Sequence, residues 1–172
     1  MKIIVDTREK AGAIRRILAA FDKMEIEYCR RTMHTGDYML EGSPGLVIDR
    51  KQNLSELASN LSRAPKKDER GRIKKYKDGR EMCEFERFRA ELKRAADDGI
   101  SLVILCEHGP RVKCLEDVIK WENPRLKESP FAMSGERMYK TLVALSEKYG
   151  VRYEFCNKCH TGKRIMEILL EG

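Results

Sequence analysis

Two aspartates and a lysine in the first third of the chain have the residue types of a cation-dependent hydrolytic site. Asp37 precedes one short apolar run, and Asp49, Arg50 and Lys51 end the next. Carboxylate and carbonyl oxygens are the ligands that Mg²⁺ and Mn²⁺ prefer. A bound cation activates water and neutralises charge on a phosphate under attack, and a nearby ammonium stabilises the developing charge. The pattern therefore predicts Asp37 and Asp49 as metal ligands, with the Arg50 carbonyl, and Lys51 as a catalytic residue.

The pairing of the two strands decides whether these side chains meet. Asp49 and Lys51 are two residues apart, so they share one face of a strand, and Arg50 points to the other. An odd number of loop residues places Asp37 opposite Asp49, whereas the four-residue loop 42–45 pairs it with Arg50. If Asp37 lies just before its strand, the alternation of side chains within the strand does not fix its direction. A structural alternative is a salt bridge of Asp49 with Arg50 or Lys51, with Asp37 as a turn residue.

Two further acids follow the first apolar run of the chain. Asp6 ends that run and can supply a third carboxylate to the metal, with Glu9 nearby. The Asp-x-x-Glu spacing also fits the start of a helix, in which both side chains cap backbone amides. The sequence leaves both interpretations open.

The periodicity of apolar residues predicts strands that alternate with helices. Strands are expected at 2–5, 26–31, 38–40, 46–48, 100–106 and 151–155, and helices up to about 23, at 53–61, 84–96, 115–121 and 134–148, and from 161 onward. This order indicates an α/β fold, a mixed sheet with helices on both sides. A length of 172 residues fits a single domain.

A basic stretch carries nearly all of the excess positive charge. Residues 63–80 contain nine Lys or Arg and three acids, which is +6 of the formal +7 of the whole chain. We expect a mobile insertion at about 63–82, with partial helix, that tracks the phosphates of a nucleic acid. A solvated loop is the alternative. The candidate DNA-binding residues are Arg63, Lys66, Lys67, Lys74 and Lys75.

The remaining signals concern location and cysteines. No run reaches the roughly 20 apolar residues of a membrane span, and no signal-peptide core opens the chain. We therefore expect a cytoplasmic protein without a membrane partner, whose six cysteines are free thiols. Cys156, Cys159 and His160 invite a zinc interpretation, but structural zinc normally takes four protein ligands.

Three motifs within the first 60 residues together resemble the XPF-type nucleases. They are Val5-Asp6-Thr7-Arg8-Glu9, Gly36-Asp37-Tyr38 and Ile48-Asp49-Arg50-Lys51. The family pattern is V-D-x-R-E, G-D-Y and E-R-K-x-x-x-D, in the same order and at similar spacing. Residues 86–92 and the apolar run 102–106 are similar to the later part of that domain. The chain looks most similar to small stand-alone members found in bacteria and their phages.

The resemblance implies a restriction-endonuclease-like fold, a mixed central sheet flanked by helices. It also implies Mg²⁺- or Mn²⁺-dependent cleavage of branched, flapped or forked DNA, and a homodimer formed through the nuclease domain. In the implied site, Asp37, Asp49 and Asp6 hold metal and Lys51 is catalytic. Arg50 and Arg8 are DNA-binding residues in this implied site, and Arg50 contacts or orients phosphate. Asp6, Arg8 and Glu9 complete the site.

The chain departs from the family pattern at two positions. Asp49 stands where the family has Glu, which shortens the ligand arm by one carbon, so we expect activity with altered geometry. Ser55 stands where the family has its later Asp, and Glu56 is the nearest substitute.

Two rival functions remain at this point. One is a catalytically weak DNA-binding module of nuclease fold that acts as a partner, and the intact set of Asp37, Asp49 and Lys51 argues against it. The other is a protein-assembly factor that kept only the fold. The basic stretch argues against that one, because a protein partner need not be polyanionic.

Overall fold

A computed structural model describes residues 1–130 and 132–171, which form a six-stranded sheet with α-helices on both faces. The strands are β1 (Lys2–Asp6), β2 (Glu27–Arg31), β3 (Tyr38–Leu40), β4 (Ser43–Lys51), β5 (Ser101–Glu107) and β6 (Arg152–Cys156). The α-helices are α1 (Ala11–Lys23), α2 (Leu54–Asn60), α3 (Glu84–Asp97), α4 (Gly135–Tyr149) and α5 (Thr161–Leu169). Two 3-10 helices, Glu116–Lys120 and Pro124–Lys127, lie between β5 and α4. The predicted α/β class is confirmed.

The topology of the sheet gathers several strand ends at one edge. The strand order is β2-β1-β3-β4-β5-β6, and β3 is antiparallel to both of its neighbours. The other adjacent pairs are parallel and are joined through helices, as such crossovers require. The carboxyl ends of β1, β4 and β5 therefore meet at the same edge as the amino end of β3. Polar residues from four neighbouring strands are brought together there.

Both faces of the sheet are buried. The side chains of β5 alternate between two apolar clusters: Ile104 packs with α2, α3 and α4, and Val103 packs with α1 and α5. Phe88 of α3 and Phe21 of α1 are among the largest fully buried side chains of the two clusters. This double burial explains why the central strands are nearly continuous apolar runs, as the sequence predicts.

The hairpin of β3 and β4 has the register that places position 37 opposite position 49, but its turn is not the predicted one. Tyr38 pairs with Ile48 and Met39 with Val47, and the register then shifts so that Leu40 pairs with Ser43. The predicted turn over 42–45 is wrong, because β4 already begins at Ser43. The ladder beside the site would place residue 37 level with residue 49. The tight turn at 41–42 and the register shift produce this result together.

The helix starts differ from the expected capping pattern. Helix α1 begins at Ala11, after Lys10, and its start has no side-chain cap. Asp6 and Glu9 therefore do not cap it, and that interpretation was wrong. Helix α2 does have reciprocal capping: Asn53 Oδ1 accepts from Glu56 N at 2.8 Å, and Glu56 Oε2 accepts from Gln52 N at 2.8 Å.

The basic stretch between α2 and α3 forms two short hairpins and no helix. Isolated bridges join Lys67 to Ile73 and Lys75 to Glu81. Each hairpin turn is held by an aspartate: Asp68 accepts from the amide and Nε of Arg72, and the second turn has the same arrangement at 78 and 80. The expectation of partial helix was wrong. The mobility of this segment stays a prediction.

Within the described residues, none of the helices combines the length and the apolar composition needed to cross a membrane.

Gly36 fixes the approach of β3 to β4, immediately before Asp37. Its φ is +65°, and a Cβ there would collide with Val47 and lie 2.9 Å from the carbonyl oxygen of Ile48. We expect Gly36→Ala to lower the free energy of unfolding by at least about 2 kcal/mol, because left-handed backbone strain and overpacking add. Urea denaturation measures this.

Gly12→Ala is the matched control, since a Cβ at Gly12, inside α1, meets nothing within 4 Å. That change should be neutral or stabilise by up to about 1 kcal/mol. Equal unfolding free energies for the two variants would contradict this account of Gly36.

Candidate active site

The structure brings Asp37, Asp49 and Lys51 together where β3 begins and β4 ends. Lys51 Nζ lies 2.9 Å from Asp49 Oδ1 and 2.7 Å from Asp49 Oδ2. Asp37 lies just before β3: its amide donates to the Ile48 carbonyl at 2.7 Å, and its Oδ2 accepts from Arg50 N at 2.8 Å. The side chain of Asp37 is thus tied to the backbone of the segment that carries the other two residues.

The electrostatics of the three residues are coupled. Burial raises the pKa of Asp37 well above its usual range, and the carboxylates of Asp49 and Glu9 raise it further. Burial lowers the pKa of Lys51, but the ion pair and hydrogen bond with Asp49 outweigh this and raise it overall. Lys51 Nζ also lies 5.6 Å from the centre of the Phe88 ring. The lysine is therefore a buried cation, and the aspartates repel one another.

The carboxyl oxygens have the chemistry of a site for a hard cation. Asp49 is 5% exposed, and among the described residues the partner of its carboxylate is the Lys51 ammonium, 2.7 Å from Oδ2. Asp37 uses Oδ2 for Arg50 N, and its other oxygen has no donor among the described residues. An ionised carboxylate has about four lone-pair sites, so both side chains keep acceptor capacity that a cation can use.

Protein side chains alone do not complete a metal site in the described residues. No three His, Cys, Asp or Glu side chains there are grouped so that they could hold an ion. Two carboxylates are enough for Mg²⁺ when water and a substrate phosphate supply the remaining oxygens. Asp37 and Asp49 fit that coordination pattern.

Arg50 lies on the opposite face of β4, as the alternation of the strand predicts. Its Nε and Nη2 donate to Glu9 Oε2 at 2.9 and 2.7 Å, and its Nη1 donates to Glu107 Oε1 at 3.2 Å. Tyr38 donates to the same Glu9 oxygen at 3.2 Å. Only 1% of the Arg50 side chain is exposed, so the guanidinium cannot reach a phosphate without leaving these partners.

Glu107, at the end of β5, is a site residue that the sequence reasoning missed. It is buried, and its Oε2 has no hydrogen-bond partner in the described part of the chain, where Lys158 Nζ lies 4.0 Å away. Cys106 pairs with Lys51 in the β4–β5 ladder, so Glu107 lies one residue beyond the level of Lys51. The available signal was an acid that ends an apolar strand, the same pattern that singled out Asp49.

Glu91 of α3 is a second acid that the sequence reasoning did not place at the site. Its charge helps to raise the pKa values of Lys51 and Arg8, although the direct acidic partners of these residues, Asp49 and Asp6, raise them more. Glu91 is half-buried and belongs to the helix that covers the Lys51 face of the sheet. The signal for Glu91 was weak, since charged residues are common on helix surfaces.

Asp6 is fully buried, and its carboxylate is already bound by donors. It accepts from Arg8 N at 2.6 Å, Arg8 Nε at 2.9 Å, Arg8 Nη2 at 3.0 Å and Met33 N at 2.7 Å. Burial raises the pKa of Asp6, but these hydrogen bonds outweigh it and lower it overall. Both Asp6 oxygens therefore already accept hydrogen bonds from Arg8 and Met33. The side chain of Arg8 is nevertheless 63% exposed.

Two other groups of predicted residues lie outside this arrangement. Glu56 is occupied in the capping of α2, as described above. In the basic stretch, Lys66 pairs with Glu84 at 2.5 Å, whereas Lys67, Lys74 and Lys75 have no acidic partner within 4.0 Å among the described residues.

The cysteine motif near the carboxyl end has internal partners. Cys156 Sγ lies 3.6 Å from the Thr161 hydroxyl, and Cys159 Sγ lies 3.2 Å from Asn157 Oδ1. All six cysteines are free thiols, as expected, although only Cys106 is fully buried.

Comparison with known proteins assigns the family. The model of the ERCC4 domain matches residues 5–165. None of the curated proteins matches the chain. Among solved structures, XPF from Aeropyrum pernix is similar with a TM-score of 0.62 and 18% identity, over 98% of this chain and 63% of that one. The complex of XPF from Aeropyrum pernix with DNA is similar with a TM-score of 0.62 and 18% identity, over 99% of this chain and 64% of that one.

The chain thus spans less than two thirds of the solved protein, and this likeness shows the fold. The six-stranded mixed sheet flanked by helices is the restriction-endonuclease-like fold of XPF nuclease domains. The match over nearly the whole chain confirms the resemblance seen in the three motifs, and the chain belongs to the ERCC4 domain family as an XPF-type nuclease domain.

Proposed function

We propose that this chain is an endonuclease that hydrolyses phosphodiester bonds in DNA with the help of Mg²⁺ or Mn²⁺. The observation that carries the proposal is the buried Asp49 carboxylate, which contacts Lys51 Nζ at 2.7 Å and repels the neighbouring Asp37 carboxylate. Repulsion between two desolvated carboxylates is relieved by a divalent cation. The nuclease family and the DNA complex of a solved relative support DNA as the substrate.

The residues have distinct roles in this proposal. Asp37 and Asp49 would hold the cation, which when bound activates water and neutralises charge on the attacked phosphate. Lys51 keeps its proton because its pKa is raised, so it stabilises negative charge and does not take a proton from water. The 2.7 Å contact with Asp49 keeps the ammonium beside a carboxylate that would hold the cation.

Arg50 acts on the site through the backbone. Its guanidinium, fixed between Glu9 and Glu107, holds the end of β4 in place, and its amide donates to Asp37. We therefore assign Arg50 and Glu9 to positioning and leave the phosphate contact to groups that are exposed. Arg8, which is largely exposed at the same edge of the sheet, is the better candidate for a DNA contact.

The basic stretch supplies the wider DNA surface in this proposal. Lys67, Lys74 and Lys75 are exposed and have no acidic partner within 4.0 Å among the described residues, so their charges are available to phosphates. Branched, flapped or forked DNA and a homodimer follow from the family resemblance and are part of the proposal.

Asp37→Asn and Asp49→Asn should each reduce cleavage of labelled flap and forked DNA by at least about 100-fold, because a neutral amide is a poor ligand for a hard cation. Cleavage is measured with Mg²⁺ or Mn²⁺ and with EDTA. Asp22→Asn, an exposed acid on α1, is the matched control and should cut like the wild type.

Metal-independent cutting, or full activity in both Asn variants, would contradict the proposal. Tight DNA binding with no cutting by the wild type would favour the rival function, a DNA-binding module without catalytic power.

Asp6→Asn should separate a structural role from a metal-binding one. We expect a loss of about 1–3 kcal/mol in the free energy of unfolding at pH 7, because a buried charge-assisted hydrogen-bond network is broken. The pKa of Asp6 is lowered from 3.8, so its carboxylate stabilises the fold above that pH and the effect disappears as pH falls through the lowered value. The stability gap between wild type and Asp6→Asn should therefore shrink from pH 7 towards pH 3, as measured by urea denaturation.

Calorimetric titration with Mn²⁺ completes this test. Affinity in Asp6→Asn should stay near the wild-type value, because the Asp6 oxygens are already engaged by Arg8 and Met33. Loss of Mn²⁺ binding with unchanged stability would instead make Asp6 the third ligand that the sequence suggested.

Neutralising Lys67, Lys74 and Lys75 to Gln should weaken DNA binding and flatten its salt dependence. Three lost phosphate contacts reduce the slope of log affinity against log salt by roughly 2–3 on duplex DNA. The charge-matched control replaces Arg15, Arg16 and Lys23 of α1, which are exposed. Equal slopes for the two triple variants would remove the basic stretch from the DNA surface.

A further inference from the structure

A second concave site lies apart from the carboxylates, between α2, the 3-10 helix Pro124–Lys127 and the start of α4. Its volume is about 380 Å³, which is within the range of small-molecule sites. The lining includes three arginines and five side-chain hydroxyls, and it contains no aspartate or glutamate. The arginines are Arg63, Arg125 and Arg137, and the hydroxyls include those of Ser55, Ser59 and Ser62.

The three arginines have uncompensated charge. Arg63 lies over the Phe85 ring, 4.1 Å from its centre, which occupies one flat side and leaves its N–H groups free. Arg125 and Arg137 are exposed. None of the three forms an ion pair with a carboxylate of the described residues, unlike Arg164, which pairs with three. A cleft lined by charge of one sign concentrates its field on a ligand of the opposite sign.

The walls of the cleft are held by the fold. Asn123 is buried: its Nδ2 donates to the Met133 carbonyl at 2.9 Å and its Oδ1 accepts from Arg125 N at 3.1 Å, which fixes the segment that carries Arg125. On the opposite wall, Ser62 O accepts from Phe85 N at 3.0 Å, which joins the end of α2 to the start of α3. Hydrogen bonds within the chain therefore fix the backbone segments that carry Arg125 and Ser62.

Some of the hydroxyls of the lining supply neutral donors beside the three cations. Ser55 and Ser59 are four residues apart and share one side of α2, and Ser62 follows the end of that helix. Ser59 donates its proton to the Ser55 carbonyl at 2.9 Å, and Thr141, also in the lining, donates to the Arg137 carbonyl at 2.8 Å, so these two hydroxyls are occupied. The Ser55 hydroxyl has no hydrogen bond within the described part of the chain and is available as a donor. The lining thus offers donors to a group that carries several acceptor oxygens.

We propose that this arginine cleft binds a phosphate monoester, the terminal phosphate of a DNA strand or of a free nucleotide. A monoester carries a charge of about −1.5 to −2 at neutral pH and three acceptor oxygens, which suits guanidinium groups better than a diester does. The cleft is large enough for the phosphate and part of its nucleoside. Ser55 lies four residues after Lys51, and α2 extends about 10 Å from that point.

A DNA end in the cleft would therefore be held by the helix that directly follows the catalytic strand, and it would fix the position of the terminal phosphate relative to the bond that is cut. This form of the proposal rests on the proposed function, whereas phosphate binding itself does not.

The test measures binding in EDTA, so cleavage has no part in it. The full chain is titrated with short duplexes that carry a 5′-phosphate, a 3′-phosphate or hydroxyl ends, and with adenosine monophosphate against adenosine. At least one phosphorylated end should bind about 10-fold more tightly than hydroxyl ends, as expected for charge-assisted hydrogen bonds. Arg125→Gln with Arg137→Gln should abolish that difference.

Arg15→Gln with Arg16→Gln on α1 removes the same charge from exposed positions outside the cleft and should preserve the difference. Thermal unfolding checks that both double variants fold. Ser62→Asp is a second variant on the cleft wall, and its carboxylate should repel the phosphate and give the same loss.

Preference for the monophosphate over adenosine, without preference among duplex ends, would assign the cleft to a free nucleotide. Equal affinities with and without the phosphate, for both the duplexes and the nucleoside, would overturn the proposal. An equal loss of the phosphate preference in the two double-arginine variants would overturn it as well. Because cutting is not measured, failure here leaves the nuclease proposal untouched, and an inactive nuclease leaves this one untouched.

Discussion

Burial of two opposite-facing cations at the end of one strand is the constraint on which this site depends. Arg50 and Lys51 are adjacent, point to opposite faces of β4 and are both buried. A buried charge is tolerated only when it is paired, and removal of one partner of a buried pair typically costs about 3–5 kcal/mol. The chain meets this requirement with nearby carboxylates: Glu9 and Glu107, from other segments, lie around Arg50, and Asp49 of the same strand lies with Asp37 on the side of Lys51.

The two faces of β4 therefore have different roles. On one face, Arg50 satisfies its donors within the protein and ties the loop after β1 to the ends of β4 and β5. On the other, the carboxylates of Asp37 and Asp49 lie beside a single cation, Lys51, and repulsion from Asp49 and Glu9 helps to raise the pKa of Asp37. Buried groups with strongly shifted pKa values cluster at functional sites. The face of Lys51 is where a cation and a phosphate would complete the set.

The sequence predicted most of the architecture because its apolar periodicity and local chemistry agree with the fold. The motif residues Asp37, Asp49 and Lys51 were expected together, and the structure places them together. The position of the turn was not predictable, since the register shift between Met39 and Leu40 has no residue signature of its own. The true α1 start was also missed, because Asp6 is used by a loop-specific contact with Arg8 and Met33.

Partners supplied by distant segments were the other limit of the sequence reasoning. Glu107 meets Arg50 across 57 positions of chain, and only the β4–β5 register fixes that meeting. The arginine cleft likewise combines residues from α2, a 3-10 helix and α4. Such sets depend on tertiary packing, which periodicity in one segment cannot specify.

The central claim is that Asp37 and Asp49 converge on one divalent cation beside the Lys51 ammonium. The most direct measurement is a crystal structure of the chain soaked in Mn²⁺, with an anomalous difference map collected at a wavelength where manganese scatters strongly. The account predicts one strong peak in contact with carboxyl oxygens of both aspartates, at about 2.0–2.3 Å. A map in which manganese is absent from this position, or in which the two carboxyl groups point to opposite faces of the sheet, would contradict it.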